Sequence, residues 1–148
     1  MSVGIHQKIM DNAYSKWQTE FKGKEYTEFI TELTSLERQA VVVGNFNYQV
    51  ENGGIGQWIG NDYATGLEYL KGALLDIGTQ TSHKVLDMLE HFDEYIEEDD
   101  YLMNESNYKY LRNFDSPYYK VNEVLMSDTE NYFQDMVMET LKDLGVLT

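Results

Sequence analysis

Apolar residues recur along this chain at the three- and four-residue intervals of an α-helix, and the period-two alternation of a strand is scarce. Ile5, Ile9, Ala13, Trp17 and Phe21 place a first helix, with Gly23 as its stop, and residues 26–33 read as a short second one. Thr34-Ser35-Leu36-Glu37 has the form of a capping box, a hydroxyl at the N-cap and a carboxylate three residues on. Leu36, Ala40, Val43 and Val50 then mark one helical face. The β-branched run Val41-Val42-Val43 would suit a strand, but the cap before it and the length of the apolar pattern favour a helix that Gly53 ends in the left-handed conformation. Asn61 or Asp62 is placed to cap the next helix, whose stripe is Tyr63, Leu67, Leu70, Leu74 and Ile77 and whose stop is Gly78. Thr79 or Thr81 opens another, with Val85, Met88, Leu89, Phe92 and Ile96 turned inward. Residues 97–106 read as a loop and 107–114 as a short helix. Ser116-Pro117 is a cap-then-proline start signal, and Ser127 or Asp128 is placed to cap a last helix carrying Tyr132, Phe133, Met136, Val137, Thr140, Leu141 and Leu144. The expectation is one all-α domain over 1–148, a bundle of six or seven helices in which 1–33 form an N-terminal helical region before a core at 34–148.

Composition narrows the class. The chain has 148 residues, 42% of them apolar, enough for a core that folds alone. It has no cysteine, which excludes disulfides, thiolate metal sites and a cysteine nucleophile. The first residues carry no apolar signal-peptide core, and no run approaches a membrane span, so a soluble cytoplasmic protein is the expectation. The net charge of −15 is unevenly placed: residues 1–74 carry −3 and residues 75–148 carry −12. Such a surface repels nucleic acid and anionic lipid and attracts a basic partner.

The stretch Asn47-Tyr-Gln-Val-Glu-Asn-Gly-Gly-Ile-Gly-Gln-Trp-Ile-Gly-Asn61 packs four glycines into eight residues. As a phosphate loop it fails, since it follows a helix, lacks the Lys-Ser/Thr of the P-loop and misses the dinucleotide spacing. It reads instead as a joint. Asn52, Gly53 and Gly54 close one helix and turn, Gly56 and Gly60 let backbones approach, and Trp58 and Ile59 fill the corner. The amides of Asn52, Gln57 and Asn61 are placed to satisfy open helix ends.

The pattern Val50-x-Asn52-Gly53-Gly54-x-x-Gln57-Trp58-x-x-Asn61 resembles the signature of a bacterial domain-of-unknown-function family whose characterised member is a DNA mimic. Ala73, Ile77-Gly78 and Thr79-Gln80-Thr81 resemble a second block of that family, and Phe114-Asp115 with Tyr118-Tyr119 a third, so the likeness spans about residues 36–142. Gln49 departs from a usual glutamate, Glu51 from a common asparagine and Ile55 from a common aromatic. The resemblance implies an all-α, often dimeric fold and, for at least one member, an acidic surface that occupies the DNA-binding face of a regulator.

The residues themselves point to an acidic interaction surface. From Val85 to Tyr108 there is no Lys or Arg, while Asp87, Glu90, Asp93, Glu94, Glu97, Glu98, Asp99, Asp100 and Glu105 fall within it. On one helix, Asp87, Glu90, Glu94, Glu97 and Glu98 share a face opposite the apolar set. Carboxylates four residues apart rise about 6 Å, comparable to the spacing of phosphates along a nucleic-acid strand. Tyr95, Tyr101, Tyr108 and Tyr110 interleave with them and suit an arginine-rich partner. Asp135, Glu139 and Asp143 form an i,i+4 row on the last helix that extends this surface, whereas Asp128 and Glu130 suit the positive end of that helix's dipole.

Catalysis has little support. His83 with Asp87 and His91 with Glu94 make no di-metal pattern, no Gly-x-Ser-x-Gly appears, and no EF-hand loop surrounds Glu97–Asp100. No cofactor and no metal is expected. The reading is a non-enzymatic, acidic DNA mimic that blocks the DNA-binding face of a basic repressor, nuclease or phage-defence effector, with Met and Tyr content compatible with a homodimer. The alternatives are an immunity protein for a basic toxin and a small hydrolase or ligand-binding domain with a pocket near Gln57-Trp58.

Overall fold

Eight consecutive residues from Ala40 to Asn47 are buried on every side of one helix, and the rest of the chain is arranged around them. The computed structural model describes residues 4–90 and 113–145, and among these every regular element is helical. The central helix is α3 (Ser35–Gly53), preceded by α1 (Ile5–Thr19) and α2 (Tyr26–Glu32). After it come α4 (Ile55–Gly60), a 3₁₀ turn (Tyr63–Gly66), α5 (Leu67–Ile77), α6 (Gln80–Met88), a helical segment at 113–119 and α7 (Asn122–Asp143). α3 packs against α1, α4 and α5, and α7 lies across α1 and α6. The all-α domain expected from periodicity is what forms. The single face expected for α3 is not, because a helix in the middle of a bundle is apolar all round.

The start of α3 follows the sequence signal. The Thr34 hydroxyl accepts from the Glu37 N–H, and Glu37 Oε1 accepts from the Thr34 N–H and hydroxyl. Lys16 of α1 donates to the other Glu37 oxygen at 2.6 Å. Burial works to raise the Glu37 carboxyl, but Lys16 and Thr34 outweigh it and hold it below its usual value. Arg38 donates to the carbonyls of Ile30, Thr31 and Leu33 and so closes the end of α2. Thr79 likewise caps α6, with Ser82 as its reciprocal partner, and Gly78 ends α5 at φ +68°.

Several boundaries fall elsewhere than expected. The left-handed residue after α3 is Gly54 (φ +79°), not Gly53, and α4 occupies what reads as a plain turn. Neither Asn61 nor Asp62 caps the next helix through its side chain; Asp62 itself turns left-handed (φ 65°) and a 3₁₀ turn intervenes before α5. Ser116 and Pro117 lie inside the helical segment at 113–119 instead of opening a helix. α7 begins at Asn122, so Ser127 and Asp128 are interior to it and do not cap it. The reason is tertiary: Asn122 is buried and donates to Glu51 at 2.6 Å, which fixes the start of α7 five residues before the local cap signal. α6 ends at Met88, with Val85 and Leu89 buried as expected; Phe92 and Ile96 lie outside the described residues.

Candidate interaction surface and an amide-lined cleft

The glycine-rich joint is a packing device. Trp58 is 2% exposed and meets Phe46 edge-on at 5.1 Å, while Ile55 and Ile59 fill the corner beside it. Asp115 reaches across from the segment at 113–119 to accept the Ile55 N–H at 2.8 Å, and a Cβ on Gly54 would fall 2.5 Å from its second oxygen. Burial outweighs that hydrogen bond and pushes the Asp115 carboxyl up. The expected amides do not serve helix ends. Asn52 donates to Gln57, and Gln57 and Asn61 both donate to Gln49 Oε1, at 2.8 and 3.0 Å. The amide oxygen of Gln49 accepts both bonds and holds the joint together. Gly60 faces open space, so close approach is not its role.

Of the acidic candidates, Asp87 is exposed on α6, and Glu90 is exposed in the turn that follows it. Asp93, Glu94, Glu97, Glu98, Asp99, Asp100 and Glu105 lie outside the described residues, as do Tyr95, Tyr101, Tyr108 and Tyr110. Asp135, Glu139 and Asp143 are exposed on α7. Each is one helical turn from the next, so the row rises about 12 Å along the axis. Among the described residues the ion pairs are Lys16–Glu37, Lys24–Glu28 and Lys71–Glu68, all in the first half of the chain. The described carboxylates from residue 75 onward have no such neutralising partner among the described residues.

Glu130 does not belong to the α7 row. It accepts the backbone N–H groups of Ile5 and His6, each at 3.0 Å, and so caps the start of α1 across 125 residues. Burial works to raise its carboxyl, yet the donors from His6, Gln134 and Ile5 hold it below its usual value. Its helix-dipole partner is therefore α1, not the helix that carries it.

The same corner opens into a cleft of about 500 Å³ between α1 and α3. Its lining includes His6, Asn45, Asn47, Gln49 and Glu51 on the polar side and Tyr14, Trp17, Tyr48 and Tyr63 on the aromatic side. His6 is buried, stacks on Phe133 and hydrogen-bonds the Ala40 carbonyl at 2.9 Å. Burial lowers its pKa against the opposing pull of Ala40 and Glu130. Asn47 Oδ1 accepts the Tyr118 hydroxyl at 2.7 Å. Asn45 is 6% exposed, and its Nδ2 is shut off from solvent, makes no close hydrogen bond among the described residues and acts on the Tyr26 hydroxyl. That amide favours the ionised form of Tyr26, but burial dominates and keeps the phenol protonated. The cleft went unread in the sequence, although one signal was there: Asn45, Asn47 and Gln49 interrupt an otherwise apolar run at two-residue steps. Of the histidines, His83 is exposed and His91 lies outside the described residues, and no metal-ligating cluster forms among the described residues.

No helix among the described residues is long and apolar enough to cross a membrane. No curated protein and no solved structure matches the chain. A family model described as DMP19-like protein matches residues 31–137, which takes in α3, the glycine-rich joint, the capped start of α6 and most of α7. The chain therefore belongs to the DMP19-like protein family.

Proposed function

We propose that this protein is an acidic DNA mimic that occupies the DNA-binding face of a basic protein and inhibits it, without catalysis of its own. The observation that carries the reading is the placement of charge: −12 in residues 75–148, with Asp135, Glu139 and Asp143 in an exposed row that no described lysine or arginine pairs with. A carboxylate every turn matches the scale of a phosphate strand, and like charges at i,i+4 cost a few tenths of a kcal/mol each, so the row is not a stabilising device. Family membership agrees with this use of the surface. Long-range attraction would speed association and make it sensitive to salt.

The test is capture of a DNA-binding protein from host lysate at low salt, followed by displacement with duplex DNA. The expected result is a captured protein that moderate salt or added duplex releases, and that the variant Asp87→Asn/Glu90→Gln/Asp135→Asn/Glu139→Gln/Asp143→Asn captures poorly. Capture that neither duplex nor this variant weakens would refute the reading.

A further inference from the structure

Two depressions in the surface meet at Trp17 and Tyr63. Both rings line the α1–α3 cleft of about 500 Å³, and both line a hollow of about 380 Å³ beside the start of α2 and the 3₁₀ turn. The two depressions therefore form one groove that runs past this pair of rings. The rings are fixed before anything binds. Trp17 stacks on Phe29 at 4.4 Å and donates its Nε1–H to the Lys24 carbonyl at 3.0 Å, and Tyr63 meets Tyr26 edge-on at 4.8 Å. Tyr14 and Tyr48 add ring surface on the cleft side, and Tyr48 is 62% exposed.

Carboxylates stand on both sides of the ring pair. Glu51 lines the cleft, and Glu25 and Asp62 line the hollow. None of the three forms an ion pair among the described residues, and no described lysine or arginine lines either depression. Lys16 and Lys24 lie close to Trp17 in the chain but pair with Glu37 and Glu28 instead. These carboxylates belong to the half of the chain that carries only −3, so the groove's charge is not a by-product of the acidic second half. An anion finds no counter-charge in such a groove. A bare metal ion finds its carboxylates split between two depressions, with no metal-ligating cluster among the described residues. A compact monocation reaches the acid on one side only. A linear methylene chain with an ammonium at each end meets every feature: its stem lies along the rings, and its charges meet ring faces and carboxylates on both sides. Both volumes are in the range of small-ligand sites.

We propose that the groove past Trp17 and Tyr63 binds a linear aliphatic polyamine, with Glu51 holding one terminal ammonium and Glu25 and Asp62 the other. The site is separate from the carboxylate row on α7, so either assignment can fail alone.

Titration of the full chain with spermidine at physiological ionic strength, followed in ¹H–¹⁵N spectra, tests it. The chain has two tryptophans, and Trp58 is buried against Phe46, so its indole signal is an internal reference for that of Trp17. The expected result is a saturable shift of the Trp17 indole with Trp58 unmoved, and n-butylamine, with one charge, binding at least about tenfold more weakly. Glu25→Gln/Glu51→Gln/Asp62→Asn keeps the size of each side chain: Gln at 51 still accepts from Asn122, and Asn suits the φ of 65° at 62. This variant is expected to weaken spermidine binding by at least about tenfold, the combined loss of three exposed charge contacts. Asp135→Asn/Glu139→Gln/Asp143→Asn is expected to leave it unchanged. Should the groove variant not fold, Tyr48→Ala removes an exposed ring and is expected to weaken binding while leaving the backbone spectrum intact. Absence of a saturable Trp17 shift, or equal binding by n-butylamine, overturns the proposal. So does undiminished binding by the folded groove variant, or, where that variant does not fold, by Tyr48→Ala. An equal loss in the α7 variant also overturns it, since spermidine would then be condensing on the acidic surface as a whole.

Discussion

α3 and α7 are helices of similar length, 19 and 22 residues, put to opposite uses. α3 buries eleven of its residues and α7 four, Asn122, Leu125, Thr129 and Phe133. α3 carries the amides, the capping box and the contacts that organise the other elements. α7 is held by those few anchors and leaves its remaining turns free to carry unpaired acid. Surface charge costs little where nothing packs, so an acidic strip fits a helix whose outer turns bury few residues.

The comparison breaks most visibly in the core. Phe46→Ala or Trp58→Ala is expected to cost about 3–5 kcal/mol by denaturant titration, because each leaves a cavity against α3 that its neighbours cannot close. A loss under 1 kcal/mol would mean α3 is not the organising element. Gly54→Ala comes next, at about 1–3 kcal/mol, since it forces a side chain into a left-handed φ and against Asp115. Thr34→Ala is expected to cost about 0.5–2 kcal/mol by removing the cap of α3.

Acid titration sharpens the tie between α1 and α7. Glu130 has a folded pKa below its unfolded value, so its contribution is complete above about pH 4.5 and is lost as pH falls through the folded value. His6 is also depressed, so the unfolded chain takes up its proton first and stability begins to fall below about pH 6.5. Both act in the same direction. Glu130→Gln should keep the shape, lower stability at pH 7 and flatten the loss below pH 4.5 in thermal melts, while the His6 step deepens because the charge that opposed its depression is gone. An unchanged acid limb would show that this cap contributes nothing.

The smallest effect on stability belongs to the outer face of α7. Asp135→Asn, Glu139→Gln and Asp143→Asn together are expected to change stability by no more than a few tenths of a kcal/mol, with a gain as the favoured sign. A marked loss would mean the row has structural partners, as Glu130 does.

The local signals of this chain were decisive where a structure depends on neighbours in sequence. The all-α class, the capping box at Thr34, a helix start at Thr79 or Thr81, the stop at Gly78 and the burial of Trp58 all rest on short-range relations that a linear chain displays. Contacts across many residues were decided by the tertiary structure alone. The start of α7 is set by Asn122 meeting Glu51, the role of Glu130 by the N-terminus of α1, and the cleft by α1 and α3 coming together. The first two are polar groups whose partners lie more than seventy residues away along the chain. Periodicity reports which face a residue occupies and carries no information on what the fold brings to that face.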